Sequence, residues 1–405
     1  MEEIFAQAAS VIPTSDFEVL VSNPDTGVAQ KATISSILSL SGGPSQAVVD
    51  TVTGNWVHDP IYVLRPQITR SIGGTVSTIA GVTVQKVNID EFLSPNGLAT
   101  LTHTNLAAVE GDYKIVSSVG LQSVSAPELV YVGGDFNFTQ LDICNGFNFP
   151  KLEYVGGNID FSESSSPGAA QFSFELPSLR IIDGQFYVVM NFLANVISLP
   201  KLERAWNLYL EAGYITSLSL PELTHTNWLH FQCGQATSLS CPKLVVIGDH
   251  DGSGGLEIHD SLSLTSVSLP LVKVLGAINI YDEVVALTTL ELPSIERIYA
   301  RGLGAYKSIS IVPGDNGPGA TALTTFTLGA SLKYVENDVE ITAAALNQTS
   351  VDGILVRLAA LDGTNGTTEY SNLTVTITGT SAAPSATGLA AKATLIARGC
   401  TVTHN

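Results

Sequence analysis

The chain has 405 residues, 45% of them apolar and only 14% charged, with a net charge of −19 at pH 7. That length allows two or three domains, and the acidity excludes a nucleic-acid phosphate backbone as partner and disfavours anionic headgroups. No apolar run approaches the roughly 18–20 residues of a membrane span, so no membrane insertion is expected.

The start, Met1-Glu2-Glu3-Ile4-Phe5, has neither the basic nor the apolar region of a secretory signal, so synthesis and retention in a cytoplasm are expected. Residues 1–43 read as a small module. Asp16 to Val21 predicts a strand, Asn23-Pro24-Asp25-Thr26-Gly27 a turn, and Val28 to Thr33 the returning strand. Ile34 to Leu40 is a short helical or extended stretch, ending at Ser41-Gly42-Gly43-Pro44. The "Pro-x-x-Asp-x-Phe-x-Val" strand, glycine turn and "Lys-x-Thr-Ile-x-x-Ile" continuation resemble the N-terminal segment of phage tail-fibre and tailspike proteins. That resemblance implies attachment to other virion proteins. A hairpin of any other origin would have the same pattern.

Residues 44–97 are short β-type runs, Ile61 to Leu64 and Gly81 to Val87, with an ordered loop at Trp56-Val57-His58-Asp59-Pro60. They predict a connector that caps the coils to follow, because a bare solenoid end invites edge-to-edge pairing.

Residues 98–335 repeat one unit. Its mark is an apolar residue, a proline, any residue and another apolar residue, at Pro127, Pro150, Pro177, Pro200, Pro221, Pro242, Pro270 and Pro293. The steps are 23, 27, 23, 21, 21, 28 and 23 residues, and periods of this size mean a stacked solenoid. An earlier copy has Thr104 in the proline slot, and Leu328 to Val335 reads as a last, modified copy after a loop at Pro313 to Gly319. Each unit has an apolar cluster ending at the proline, a second just after it, and a short alternating strand such as Leu208-Tyr209-Leu210. Alternation at period two sends the flanking residues inward and the middle one outward. Pairs such as Gly133-Gly134 and Gly156-Gly157 predict positive-φ corners. The pattern "Leu-Pro-x-Leu-x-x-Val-Gly-Gly-x-Ile-x-Phe" resembles the leucine-rich-repeat-like coils of receptor L domains and related bacterial and phage surface repeats. It covers about half the chain and speaks to fold more than function.

Residues 336–405 change pattern. Val351 to Leu361 has helical spacing, Leu373 to Ile377 is a strand, Ser385 to Gly399 is a second helix stopped by glycine, and Cys400 to Thr403 is a final strand. The segment "Pro-Ser-Ala-x-Gly-Leu-Ala-Ala-x-Ala-x-Leu-x-Ala-Arg-Gly" resembles the terminal cap of many bacterial and phage leucine-rich-repeat-like proteins. The expected fold is therefore mostly β: a leucine-rich-repeat-like β-solenoid, a small β N-terminal module and an α/β C-terminal cap.

The middle residues form a predicted outward ladder, Asn137, Asp160, Tyr187, Tyr209, His230, Glu257 and Asn279, spaced by about 4.8 Å. Tyr187, Tyr209 and His230, with Trp206 and Trp228 at nearby corners and Tyr299 and Arg301 further on, are the candidate ligand-binding residues. The competing reading is a ladder that merely shields the sheet. Asp249-His250-Asp251 with His259-Asp260 offers metal-ligand types, but a solvated insertion accounts for them; His225 and His230 need not face together, and no metal or cofactor is expected. Cys144, Cys233, Cys241 and Cys400 lack knuckle spacing, and Cys241, in a Leu slot, reads as a small buried hydrophobe rather than a partner for Cys233. The pairs Glu153/Asp160 and Glu257/Asp260 are what chance gives among 37 acids, so no enzyme is expected. The expectation is a non-enzymatic virion protein of a phage tail, its solenoid face binding a host surface receptor or glycan. The alternatives are a purely structural subunit and, last, a depolymerase. A homotrimer would suit a fibre, though no heptad supports one.

Overall fold

The computed structural model describes residues 18–22, 29–33, 76–79, 82–85, 89–92, 100–104, 106–109, 111–116, 121–139, 144, 146–161, 172–189, 194–211, 213–248, 254–300 and 307–405. About 40% of the chain is strand and 9% helix, and the strands wind into a parallel β-solenoid of about 11 turns.

Each coil carries strands at three positions, and the three apolar clusters supply them. The cluster before the proline lies in three small parallel sheets, for example Ser217–Ser219 beside Ala194–Ser198. The other two clusters join one 22-stranded sheet. Along it the inward positions run in register: Phe136 over Ile159, Phe186, Leu208, Leu229, Leu256 and Ile278. All are fully buried, and with the proline-corner leucines they form one continuous apolar spine. Burial of each such side chain contributes roughly 1.5–3 kcal/mol.

The proline corner closes by one repeated hydrogen bond. The N–H two residues past the proline returns to the carbonyl just before it: Leu152 to Phe149 at 3.3 Å, Leu202 to Leu199 at 3.1 Å, Leu244 to Cys241 at 3.2 Å. Proline suits the second position of such a turn because its φ is already set and its missing donor is not needed there. A second device runs up the glycine corner. Asp112 Oδ1 accepts from the N–H of Asp135, Asp135 Oδ1 from Asn158, and Asn158 Oδ1 from Gln185, at 2.8, 2.8 and 2.9 Å.

The paired glycines have a different cause from the one the sequence suggests. Gly133, Gly134, Gly156 and Gly157 are not among the positive-φ residues. Close stacking demands them instead: a Cβ on Gly156 would lie 2.2 Å from the Gly133 carbonyl oxygen, and one on Gly157 would lie 2.4 Å from Asp135 Oδ1.

The ladder also runs past both expected limits. Val82–Gln85 and Ile89–Phe92 already pair with Leu106–Val109 and Tyr113–Val116, and Val76–Ile79 folds back antiparallel on Val82–Gln85. At the far end Asp338–Ile341, Thr374–Ile377 and Thr401–His404 add three further rungs beyond residue 335. The helices Gln348–Ala359 and Ala386–Ala397 lie between those rungs in sequence. Asn347 caps the first, accepting from the Ser350 N–H, and Ser385 the second; Gly399, at φ 83°, follows the second helix. Glu18–Ser22 and Ala29–Thr33 form the expected antiparallel hairpin. The predicted strand at Ile61 to Leu64, the stretch Ile34 to Leu40 and the loop at Trp56 lie outside the described residues.

Candidate functional site

The predicted ladder exists, and three of its members touch in the expected order. The Tyr187 and Tyr209 rings are 5.8 Å apart between centroids, and Tyr209 and His230 are 5.3 Å apart. These contacts follow from the register, which places Tyr187 against Tyr209 and Tyr209 against His230. The ladder then continues where the sequence reading stopped. His230 meets His259 at 4.7 Å, and His259 stacks on Tyr281 at 4.9 Å with the rings 10° from parallel.

Not every rung is open. His230 is 7% exposed and Glu257 6%, so the expectation of a solvent-facing His230 is corrected: its neighbours cover it. Trp228 is corrected likewise. It is 7% exposed, pairs in register with Asn207 rather than with Trp206, and its indole N–H has no acceptor among the described residues. Trp206 is 41% exposed, on the same strand as Tyr209. Tyr299 stands outside this group, its ring 5.4 Å from Tyr334. Arg301 and the Asp249-His250-Asp251 segment lie outside the described residues. His225 bonds through Nδ1 to Thr224 Oγ1 at 2.9 Å, away from His230.

The sequence reading missed how a second outward column joins the first. Extending the alternation by two residues past Tyr209, His230, Glu257 and Asn279 gives Glu211, Gln232, His259 and Tyr281. The backbone ladder does extend that far, with the His259 N–H on the Phe231 carbonyl and the Tyr281 N–H on that of Ile258. His230 therefore has neighbours above, below and diagonally. Its Nδ1 lies 3.0 Å from Glu257 Oε2, and its Nε2 lies 3.1 Å from Glu211 Oε1. That same Nε2 is 3.0 Å from His259 Nε2, while His259 Nδ1 is 3.0 Å from Asp260 Oδ2.

The carboxylates are held in turn. The Tyr281 hydroxyl donates to Glu257 Oε1 at 2.6 Å, and the Gln232 amide donates to Asp260 Oδ2 at 3.2 Å. Burial alone would push the Glu257 carboxyl up. The hydrogen bonds from His230 and Tyr281, with the electrostatic pull of both histidines, outweigh it and leave the group below its ordinary 4.5. Burial, and then that same hydrogen bond to Glu257, push the Tyr281 hydroxyl far up, so it remains a donor. Both acids of the Glu257/Asp260 pair are thus engaged, and neither is an open carboxyl facing a cleft. Two sets of ligand-type atoms lie within 4.8 Å of one another: His230, Glu257 and His259, and His259, Asp260 and Asp282.

No helix is long and apolar enough to cross a membrane, among the described residues. The four cysteines are unpaired and buried, with the Cys241 thiol pushed up to about 12 by burial. Comparison with known proteins gives no match, whether to a family model, a curated protein or a solved structure.

Proposed function

We propose that the chain is a non-enzymatic virion protein of a phage tail, a leucine-rich-repeat-like solenoid whose wall binds a host surface receptor or glycan. In this reading the N-terminal hairpin belongs to a segment that attaches to other virion proteins, and residues 336–405 cap the coils. The observation that carries it is the aromatic run Tyr187–Tyr209 on a fixed wall, beside exposed Trp206 and a row of carboxylates. Rings held by a sheet lose little freedom on binding, and their faces and edges suit sugars, whose hydroxyls the carboxylates would accept from.

The test is binding of the full chain to host cells and to arrayed surface glycans. Tyr209→Ala should lower binding about tenfold or more, equivalent to roughly 1.4 kcal/mol, with an unchanged circular dichroism spectrum. Absence of binding to cells and array, or equal binding by Tyr209→Ala, refutes the receptor role.

One observation favours a second reading, a structural subunit with homotypic contacts. Leu389 and Ile396 are about half exposed and seven residues apart, so they share one face of the helix Ala386–Ala397. A trimer by light scattering that Leu389→Glu dissociates would support it.

A further inference from the structure

We propose that the wall holds a divalent transition metal ion of the zinc class, bound by His230 Nε2, His259 Nε2 and Glu211 Oε1. The site is independent of what the wall recognises.

Counting protons leads there. His230 Nδ1 and His259 Nδ1 each face a carboxylate oxygen, of Glu257 and Asp260, at 3.0 Å. A carboxylate only accepts, so each Nδ1 carries the ring's proton. In two neutral imidazoles both Nε2 atoms are then bare lone pairs. Yet these two atoms lie 3.0 Å apart, and Glu211 Oε1 lies 3.1 Å from that of His230. Three acceptors crowd together with no donor, on a wall where His230 is almost fully covered. Such a group is repulsive unless a cation joins it.

The surroundings favour a metal ion as that cation. Metal-bound imidazoles commonly donate their other N–H to a carboxylate, which fixes the ring and raises its basicity. Both histidines here have that arrangement. Glu257 is already committed, Oε2 to His230 and Oε1 to the Tyr281 hydroxyl, and Asp260 to His259 and Gln232. They therefore orient ligands, which leaves Glu211 to supply the oxygen. Two imidazole nitrogens with one carboxylate suit zinc, cobalt, nickel or copper rather than magnesium or calcium. The three ligands come from three successive coils, so the ion would also fasten those coils together.

The test uses full-length protein freed of metal by a chelator. Titration with Co²⁺ should give a visible absorption band that saturates at one equivalent and is displaced by Zn²⁺. Zn²⁺ should also raise the melting temperature. His259→Gln and Glu211→Gln, each checked for folding by circular dichroism, should weaken binding by about 100-fold or more. Glu257→Gln should weaken it by about 10–100-fold, as loss of an orienting partner does. His225→Gln should change nothing. The proposal is overturned if no saturable band appears, if His259→Gln binds like wild type, or if Zn²⁺ leaves the melting temperature unmoved. In that last case a proton alone joins the two rings.

Discussion

Alanine at Gly156 should open the solenoid locally. The added Cβ would lie 2.2 Å from the Gly133 oxygen, where ordinary contact begins at 3.4 Å, an intrusion of about 1.2 Å. The obstacle is backbone of the coil below, so no side chain can swing aside. Relief requires that the coils part, at the expense of the Gly156 N–H bond to the Val132 carbonyl and the Gly157 N–H bond to that of Gly134, both 2.8 Å. Overpacking of this kind costs about 1–3 kcal/mol, and each weakened bond up to about 1 kcal/mol, giving about 2–4 kcal/mol. The same substitution at Gly353, inside a helix with nothing within 4 Å of the new atom, should stabilise by about 1 kcal/mol. Amide hydrogen exchange separates them, because a long array does not unfold as one unit. Peptides spanning residues 130–160 should exchange roughly 30- to 1,000-fold faster in Gly156→Ala, whereas peptides over 348–359 should slow in Gly353→Ala. Unchanged exchange around Gly156 would show that the glycines do not set the coil spacing.

Leu223→Asp should unfold the middle of the array, since Leu223 is fully buried in the spine and an unpaired buried carboxylate costs several kcal/mol; a wild-type melting curve would refute the register. Asp112 titrates below its ordinary 3.8: burial pushes it up, but the Lys114 ammonium, 2.8 Å away, and the Asp135 N–H outweigh that. Its folded pKa being the lower one, its stabilising effect is present above about pH 3.8 and disappears as pH falls through the folded value. Wild type should therefore exceed Asp112→Asn in stability at pH 6, with the gap closing below pH 3.8. The four buried thiols, with Cys144 and Cys241 pushed up to about 12, should resist iodoacetamide at pH 8 in the folded protein and react in guanidinium, as mass spectrometry would read.

Much of the fold is legible in the residues because two rules repeat without exception along the spine. Proline needs a turn slot with φ preset and no donor required, so Leu-Pro-x-Leu announces each corner. Period-two alternation announces the wall, and it places Tyr187, Tyr209 and His230 side by side. Other features are hidden for identifiable reasons. Glycine answers equally to a positive φ and to a crowding neighbour, so Gly133-Gly134 cannot declare which applies. Asn207 and Trp228 share a rung, and the unpaired residue between Ala205 and Asn207 shifts the strand by one; a tryptophan in each of two adjacent coils therefore looks equivalent and is not. The histidine cluster needs a diagonal step between columns. That geometry belongs to stacked coils and leaves no local spacing. The far end of the ladder is masked because two helices interrupt the repeat while Val339, Val375 and Val402 stay in register.

The uneven lengths of the coils have an evolutionary corollary. Steps of 21 to 28 residues between prolines coexist with matched pairing, because the surplus is taken up at the bends. Each turn grips only those directly above and below, through nearly identical surfaces. Duplication or loss of one entire turn would bring two compatible surfaces together and change the reach of the molecule by about 4.8 Å. A gene recombining unequally within this region would thus yield longer and shorter descendants that still fold.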